Sequence, residues 1–208
     1  MFKSFRKKLN NYKKYSNNKE YYDQLEGYLK SRCFLPSLHI VKQNNIHEYR
    51  QKFNIQLLVE TGTFKGDMVE AQKAHFKKIY SIELGDELYI NAVQRFQNDK
   101  NVSILQGDSA LVLNDILKEI AEPTLFWLDG HYSAGITAKA DKNTPILAEL
   151  EQILNHLDSH VILIDDARLF TGTDDYPTIP DLCSFILSIT PDKRIQIADD
   201  IIRITPNG

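Results

Sequence analysis

Carboxylates stand at the ends of the apolar runs of this 208-residue chain, and their spacing is the first sign of chemistry. Phe126-Trp127-Leu128 runs into Asp129, and Ile162-Leu163-Ile164 runs into Asp165-Asp166. On neighbouring parallel strands, about 4.8 Å apart, these three acids would converge. Carboxylates that close repel one another strongly unless a cation sits among them. An all-oxygen set suits a hard divalent ion, magnesium first, with waters or substrate oxygens completing the shell. The alternative is that Asp166 caps a turn and Asp165 alone is functional. His131 follows Asp129 by two residues, and a neutral imidazole there can take a proton from a hydroxyl. Asp129 and His131 are therefore the candidate catalytic pair, and Asp129, Asp165 and Asp166 the candidate metal ligands.

A second group of acids surrounds a glycine turn. Leu57-Leu58-Val59-Glu60 is an apolar run ending in an acid, followed by Thr61-Gly62-Thr63-Phe64-Lys65-Gly66. Glycines at 62 and 66 let backbone approach a ligand closely, and the helix that follows presents unpaired N–H groups. The three-glycine dinucleotide fingerprint and the Gly-Lys-Ser/Thr phosphate loop are both absent, which disfavours a pyrophosphate. An acid beside the glycines suits a ligand with a cationic amino group and a sulfonium. A purely structural strand-to-helix turn would read the same from these few residues alone. Glu83 follows at the distance where an acid accepts from both ribose hydroxyls of an adenosine. Asp108, in Gly107-Asp108-Ser109, sits where a side chain could accept from an adenine amino group.

In their order along the chain these features resemble the cofactor motifs of class I methyltransferases that use S-adenosylmethionine (SAM). The resemblance implies cofactor contacts from Glu60, Thr61, Gly62, Thr63, Gly66, Glu83, Gly107, Asp108, Ser109 and Asp129. Over about residues 57 to 170, the Leu-Asp-Gly-x-Tyr and Ile-Asp-Asp strand ends are similar to those of the macrocin O-methyltransferase family, bacterial enzymes that methylate sugar hydroxyls with SAM and magnesium. That likeness implies Asp129, Asp165 and Asp166 as metal ligands and a sugar or related small metabolite as acceptor. The family usually carries a second Asp two residues after the first, proposed as the general base, and His131 stands there in this chain. Alternatives are a phosphorylated or nitrogen-bearing acceptor, or a SAM-binding, membrane-associated protein without turnover.

The elements that would position these residues alternate regularly. A helical pattern runs from Asp67 to Phe76, and strands are expected at Lys78 to Leu84, Val102 to Leu105, Thr124 to Leu128 and Val161 to Ile164. Helices are expected between them at Asp86 to Phe96, Ser109 to Ile120 and about Pro145 to Leu157. Strands separated by helices of this length indicate βαβ units and a parallel sheet covered on both faces. A polar loop, Thr171 to Thr178, leads to a helix at Asp181 to Ile189. Arg194 to Ala198 and Ile201 to Thr205, joined by Asp199-Asp200, read as a closing hairpin. The fold class expected is α/β, a Rossmann-like, seven-stranded, mostly parallel sheet with helices on both faces and an N-terminal helical cap. The cap comprises residues 20–53, with helical patterns at Asn18 to Leu29 and Pro36 to Phe53, and the main domain residues 54–208.

Charge is divided unevenly. Residues 1–19 hold seven Lys or Arg and no acid, while the remainder carries 18 basic against 28 acidic residues. An acidic body argues against nucleic acid as a partner. The arm places Phe2, Phe5, Leu9 and Tyr12 at helical spacing among lysines, so it reads as a frayed arm, a dimer contact or a basic helix on an anionic membrane. The two cysteines, Cys33 and Cys183, form no close pair, which excludes a disulfide scaffold and a zinc knuckle. A cytoplasmic protein, peripheral at most to the inner membrane face, is expected. Lys139, Lys142 and Arg168 are available to a sugar phosphate or nucleotide sugar, and residues 132–144 have the length of a lid. Trp127 and Tyr132 are candidates to line the pocket. His39, His47, His75, His156 and His160 are placed on helices or turns away from the strand ends.

Overall fold

The computed structural model describes residues 36–130, 144–157 and 159–207. The arm at 1–19, the first cap helix, Cys33, His131, Tyr132, Lys139, Lys142 and all but the last residue of the expected lid lie outside the described residues. The elements are α1 (His39–Lys52), β1 (Leu57–Thr61), α2 (Asp67–Gln72), β2 (Lys78–Glu83), α3 (Asp86–Phe96), β3 (Val102–Gln106) and α4 (Ser109–Glu119). They continue with β4 (Thr124–Leu128), α5 (Ile146–Leu154), β5 (Val161–Ile164), a 3-10 turn at Ala167–Leu169, α6 (Ile179–Ile189), β6 (Arg194–Ala198) and β7 (Ile201–Thr205).

One seven-stranded sheet has the order β3-β2-β1-β4-β5-β7-β6. Strands β1 to β5 pair in parallel, and β7 is antiparallel to both β5 and β6. The closing hairpin forms as its Asp-Asp connection predicts: Asp199 and Asp200 both take positive φ, 54° and 60°, as a two-residue turn between twisted strands requires. Because the chain builds outward from β1 to β3 and then returns to β4, the crevice for a ligand falls at the carboxyl ends of β1 and β4.

The central strands are apolar on both faces because helices cover both. In β4, Leu125 and Trp127 point to one side, where Ile46 and Tyr49 of α1, Met68 and Val69 of α2 and Phe96 of α3 complete a buried cluster. Phe126 and Leu128 point to the other, packing with Leu113 and Ile116 of α4, Leu150 and Ile153 of α5 and Ile186 of α6. Trp127 is therefore core and does not line the pocket. α1, the described part of the expected cap, is built into one of these two cores.

Boundaries shift where side chains intervene. α2 stops at Gln72 instead of reaching Phe76, because Asn101 donates to the carbonyls of Lys73 and Phe76 at 2.8 and 3.0 Å and holds that segment out of the helix. α6 begins at Ile179, earlier than expected, with Thr178 accepting from the Asp181 N–H and Pro180 in the first turn, where its missing N–H costs nothing. No helix among the described residues is long and apolar enough to cross a membrane.

Candidate active site

The ends of the parallel strands are tied sideways by backbone hydrogen bonds. Gly107 N donates to Glu83 O at 2.9 Å, Gly62 N to Ile82 O at 2.9 Å, Asp129 N to Thr61 O at 3.1 Å and Asp165 N to Leu128 O at 3.0 Å. The predicted acids thus lie in one row along the crevice, at spacings set by the sheet.

On the β1–β2 side the glycine loop folds over Glu83. Gly62 and Gly66 adopt φ of +84° and +79°, a conformation that suits glycine. Phe64 N donates to Glu83 Oε2 at 2.7 Å and Gly85 N to Oε1 at 2.8 Å, so the carboxylate is held by two backbone donors and keeps further lone pairs. Thr63 and Ser81 share a hydroxyl hydrogen bond of 2.6 Å, and Ser81 donates to Glu60. Burial pushes the Glu60 carboxyl up to about 8, with Asp129 and Glu83 adding to the rise against the Ser81 hydrogen bond. Asp108 is the N-cap of α4, accepting from Ala110 N at 2.9 Å.

On the β4–β5 side, Asp129, Asp165 and Asp166 each offer an oxygen within 4.8 Å of the others. Asp165 and Asp166 are buried, and Asp165 Oδ1 has no hydrogen-bond partner. Burial and the neighbouring charge of Asp129 push the Asp165 carboxyl up to about 7, even against the opposing charge of Lys42. Asp166 takes φ of 55° as the chain turns, and Arg168 bridges it to Asp200. Arg168, though exposed, is thus engaged by two carboxylates of the protein itself.

Four contributors escaped the sequence reading. Lys42, on α1, pairs with Asp165 and stands 3.8 Å from Asp166. Burial alone would lower its pKa, but the charges of Asp165, Asp129 and Asp166 raise it. His39, the first residue of α1, hydrogen-bonds Gln43 at 2.7 Å and feels the charges of Asp67, Lys42 and Asp129. Its pKa is lowered, chiefly by desolvation of the ring, although much of the residue faces solvent. Glu149 of α5 is buried beside Thr61, Ser109 and Gly130, and burial pushes it up to about 7. Tyr176, from the polar loop, packs edge-on to Phe170 and lines a small cavity with Asp129, Gly130, Glu149 and Asp165.

Glu149 had a signal: it sits in the apolar stripe of Ile146, Leu150 and Ile153, where an acid is out of place. Lys42 had none, since its helix buries Asn44, Asn45 and His47 alongside its apolar residues. The other four histidines do lie elsewhere. His160, for example, accepts from Thr124 N at 3.2 Å and stacks on His156, and burial pushes its pKa down to about 3.

No protein family's sequence pattern matches the chain, and no curated protein is similar to it in sequence. Solved structures are similar in shape. An O-methyltransferase from Bacillus cereus in complex with S-adenosylhomocysteine (SAH) is 15% identical, with 91% of this chain and 92% of that one covered and a TM-score of 0.59. The SAM-bound O-methyltransferase TomG of Streptomyces achromogenes, involved in tomaymycin synthesis, is 14% identical over 93% and 92%, with a TM-score of 0.58. SAH-bound methyltransferase PaMTH1 of Podospora anserina is 14% identical over 82% and 80%, with a TM-score of 0.55. At these identities the likeness lies in the fold: this chain has the Rossmann-like, seven-stranded architecture of the SAM-dependent methyltransferases.

Proposed function

We propose that the protein is a SAM-dependent O-methyltransferase acting on a hydroxyl of a sugar or related small metabolite. The observation that carries this reading is the row of acids along one crevice, with a ribose-type carboxylate at Glu83 and a converging cluster at Asp129, Asp165 and Asp166. The fold shared with SAM-bound and SAH-bound enzymes supports it.

In this reading the loop Glu60, Thr61, Gly62, Thr63 and Gly66 receives the methionine part of SAM, and Glu83 accepts from the ribose hydroxyls. Gly107, Asp108 and Ser109 border the adenine. A cationic amino group beside Glu60 would draw its carboxyl back to the ionised form, since opposite charge favours ionisation.

The residues of the cluster fit a hard divalent ion. Three carboxylates converge, one buried oxygen lacks a partner, and burial together with the neighbouring charge of Asp129 raises the Asp165 carboxyl even beside Lys42. Magnesium would be held by Asp129, Asp165 and Asp166, where it would make a bound hydroxyl more acidic. His131, standing where the resembling family carries the Asp proposed as its base, is the base in this reading, its neutral imidazole accepting the hydroxyl proton. SAM bound in the crevice would supply the methyl in one in-line displacement from sulfonium to the acceptor oxygen, leaving SAH, with the hydroxyl proton going to the base and no covalent enzyme intermediate. A sugar or related small metabolite is the acceptor class that the resemblance implies, with a phosphorylated or nitrogen-bearing acceptor as the alternative. Residues 1–19 are assigned to a membrane or homodimer contact.

Calorimetric titration with SAM and with SAH, each with and without magnesium, tests the reading. Micromolar binding of both is expected, with magnesium needed only for the acceptor. Binding of neither would sink the assignment.

A further inference from the structure

Lys42 reaches the carboxylate cluster from a helix 123 residues before Asp165 in sequence. Its ammonium pairs with Asp165 and lies 3.8 Å from Asp166, with the side chain only 16% exposed. The helix that carries it is anchored on several sides. Arg203 of β7 donates through Nε to Asn45 Oδ1 at 3.0 Å and pairs with Asp199 at 2.8 Å. Gln72 of α2 donates to the carbonyl of Gln43 at 3.1 Å, and Ile46 is wholly buried in the core. The ammonium is thus a built part of the cluster and not a surface lysine at rest.

A divalent ion bridging the same oxygens would meet that ammonium at close range, where like charges repel strongly in a poorly solvated site. Asp166 is already shared with Arg168, so Asp165 is the oxygen source over which the two cations compete. The partnerless Asp165 Oδ1 leaves room for a second ligand bond, but Oδ2 is taken.

We propose that Lys42 is a tethered cation occupying the ion position of the Asp129, Asp165 and Asp166 cluster, and that it must withdraw before a divalent ion binds. Lys42 thereby sets the ion affinity of the site and couples ion binding to the position of α1. This inference rests on the divalent-ion reading above.

The test is titration of the full chain with Mn²⁺, following the free-ion signal by electron paramagnetic resonance at fixed pH, for the unaltered protein and for Lys42→Met. Methionine keeps an unbranched apolar stem of similar reach, and Lys42→Gln serves as a second neutral variant. SAM binding is the check on folding. Both variants should bind one Mn²⁺ at least about tenfold more tightly than the unaltered chain, and adding Asp165→Asn to either should abolish the gain. Equal or weaker Mn²⁺ binding by the variants would overturn the inference alone, making Lys42 a support of the cluster and not its competitor. Absence of Mn²⁺ binding in all three proteins, with SAM binding intact, would overturn both the inference and the divalent-ion reading while leaving methyl transfer standing.

Discussion

Glu60 and Ser81 are register partners on adjacent parallel strands, and the Ser81 hydroxyl donates to the Glu60 carboxyl beneath the glycine loop. With no opposite charge beside it among the described residues, the buried carboxyl stays protonated up to about pH 8, against 4.5 as its ordinary value. Between those values the folded chain holds a proton that the unfolded chain has released, so Glu60 makes stability fall as pH rises through that window. The slope is at most about 1.4 kcal/mol per pH unit. Urea midpoints at pH 5, 6.5 and 8 should show the unaltered protein losing ground to Glu60→Gln as pH rises. Parallel curves would mean that Glu60 ionises normally.

Glu83 holds the glycine loop. Removing it in Glu83→Ala deprives Phe64 N and Gly85 N of their acceptor and would take away the proposed ribose contacts. With charge-assisted hydrogen bonds contributing roughly 1.5–3 kcal/mol each, SAM affinity should fall about 100-fold or more by calorimetry. Unchanged affinity would remove Glu83 from the cofactor site.

Replacing Asp165 and Asp166 together by Ala should leave SAM binding near its starting value while turnover drops roughly 100-fold or more. Loss of SAM binding in a variant that still melts cooperatively would put those residues in the wrong site.

Gly62 is pressed against the neighbouring loop. A Cβ there would lie 2.5 Å from the Asp129 carbonyl oxygen, at a φ of +84°. Both the strain and the collision involve backbone, so Gly62→Ala should cost on the order of 2 kcal/mol or more in thermal or urea unfolding. Gly130→Ala meets side-chain atoms, Thr61 Oγ1 and Cβ at 3.1 and 3.3 Å and Glu149 Oε1 at 3.4 Å, and no backbone among these nearest atoms, so it should cost less. The reverse order would show that the β1 loop yields more readily than its contacts imply.

Most of the sheet was legible because each strand is a short apolar run bounded by turn residues and each long helix an amphipathic stretch. The acids at 60, 83, 129, 165 and 166 were legible for the same reason: in a parallel sheet, strand ends share one edge. Lys42 and His39 were not, because their roles depend on how α1 lies across the sheet, and a helix that buries Asn44, Asn45 and His47 does not announce its inner face. Tyr176 was hidden differently, since its polar loop looked solvated until Phe170 and the cavity behind it gave the ring a place to pack.

Trp127 is the only tryptophan in the chain, fully buried in the same cluster as Ile46 and Tyr49 of α1, and it precedes Asp129 by two residues. Its indole is therefore a built-in optical probe at the joint between α1 and the strand that ends in Asp129. Fluorescence excited at the red edge of protein absorption comes from this single place, so a change in emission reads the contact between one helix and one strand. The protein needs no attached dye to report on how that helix meets the sheet.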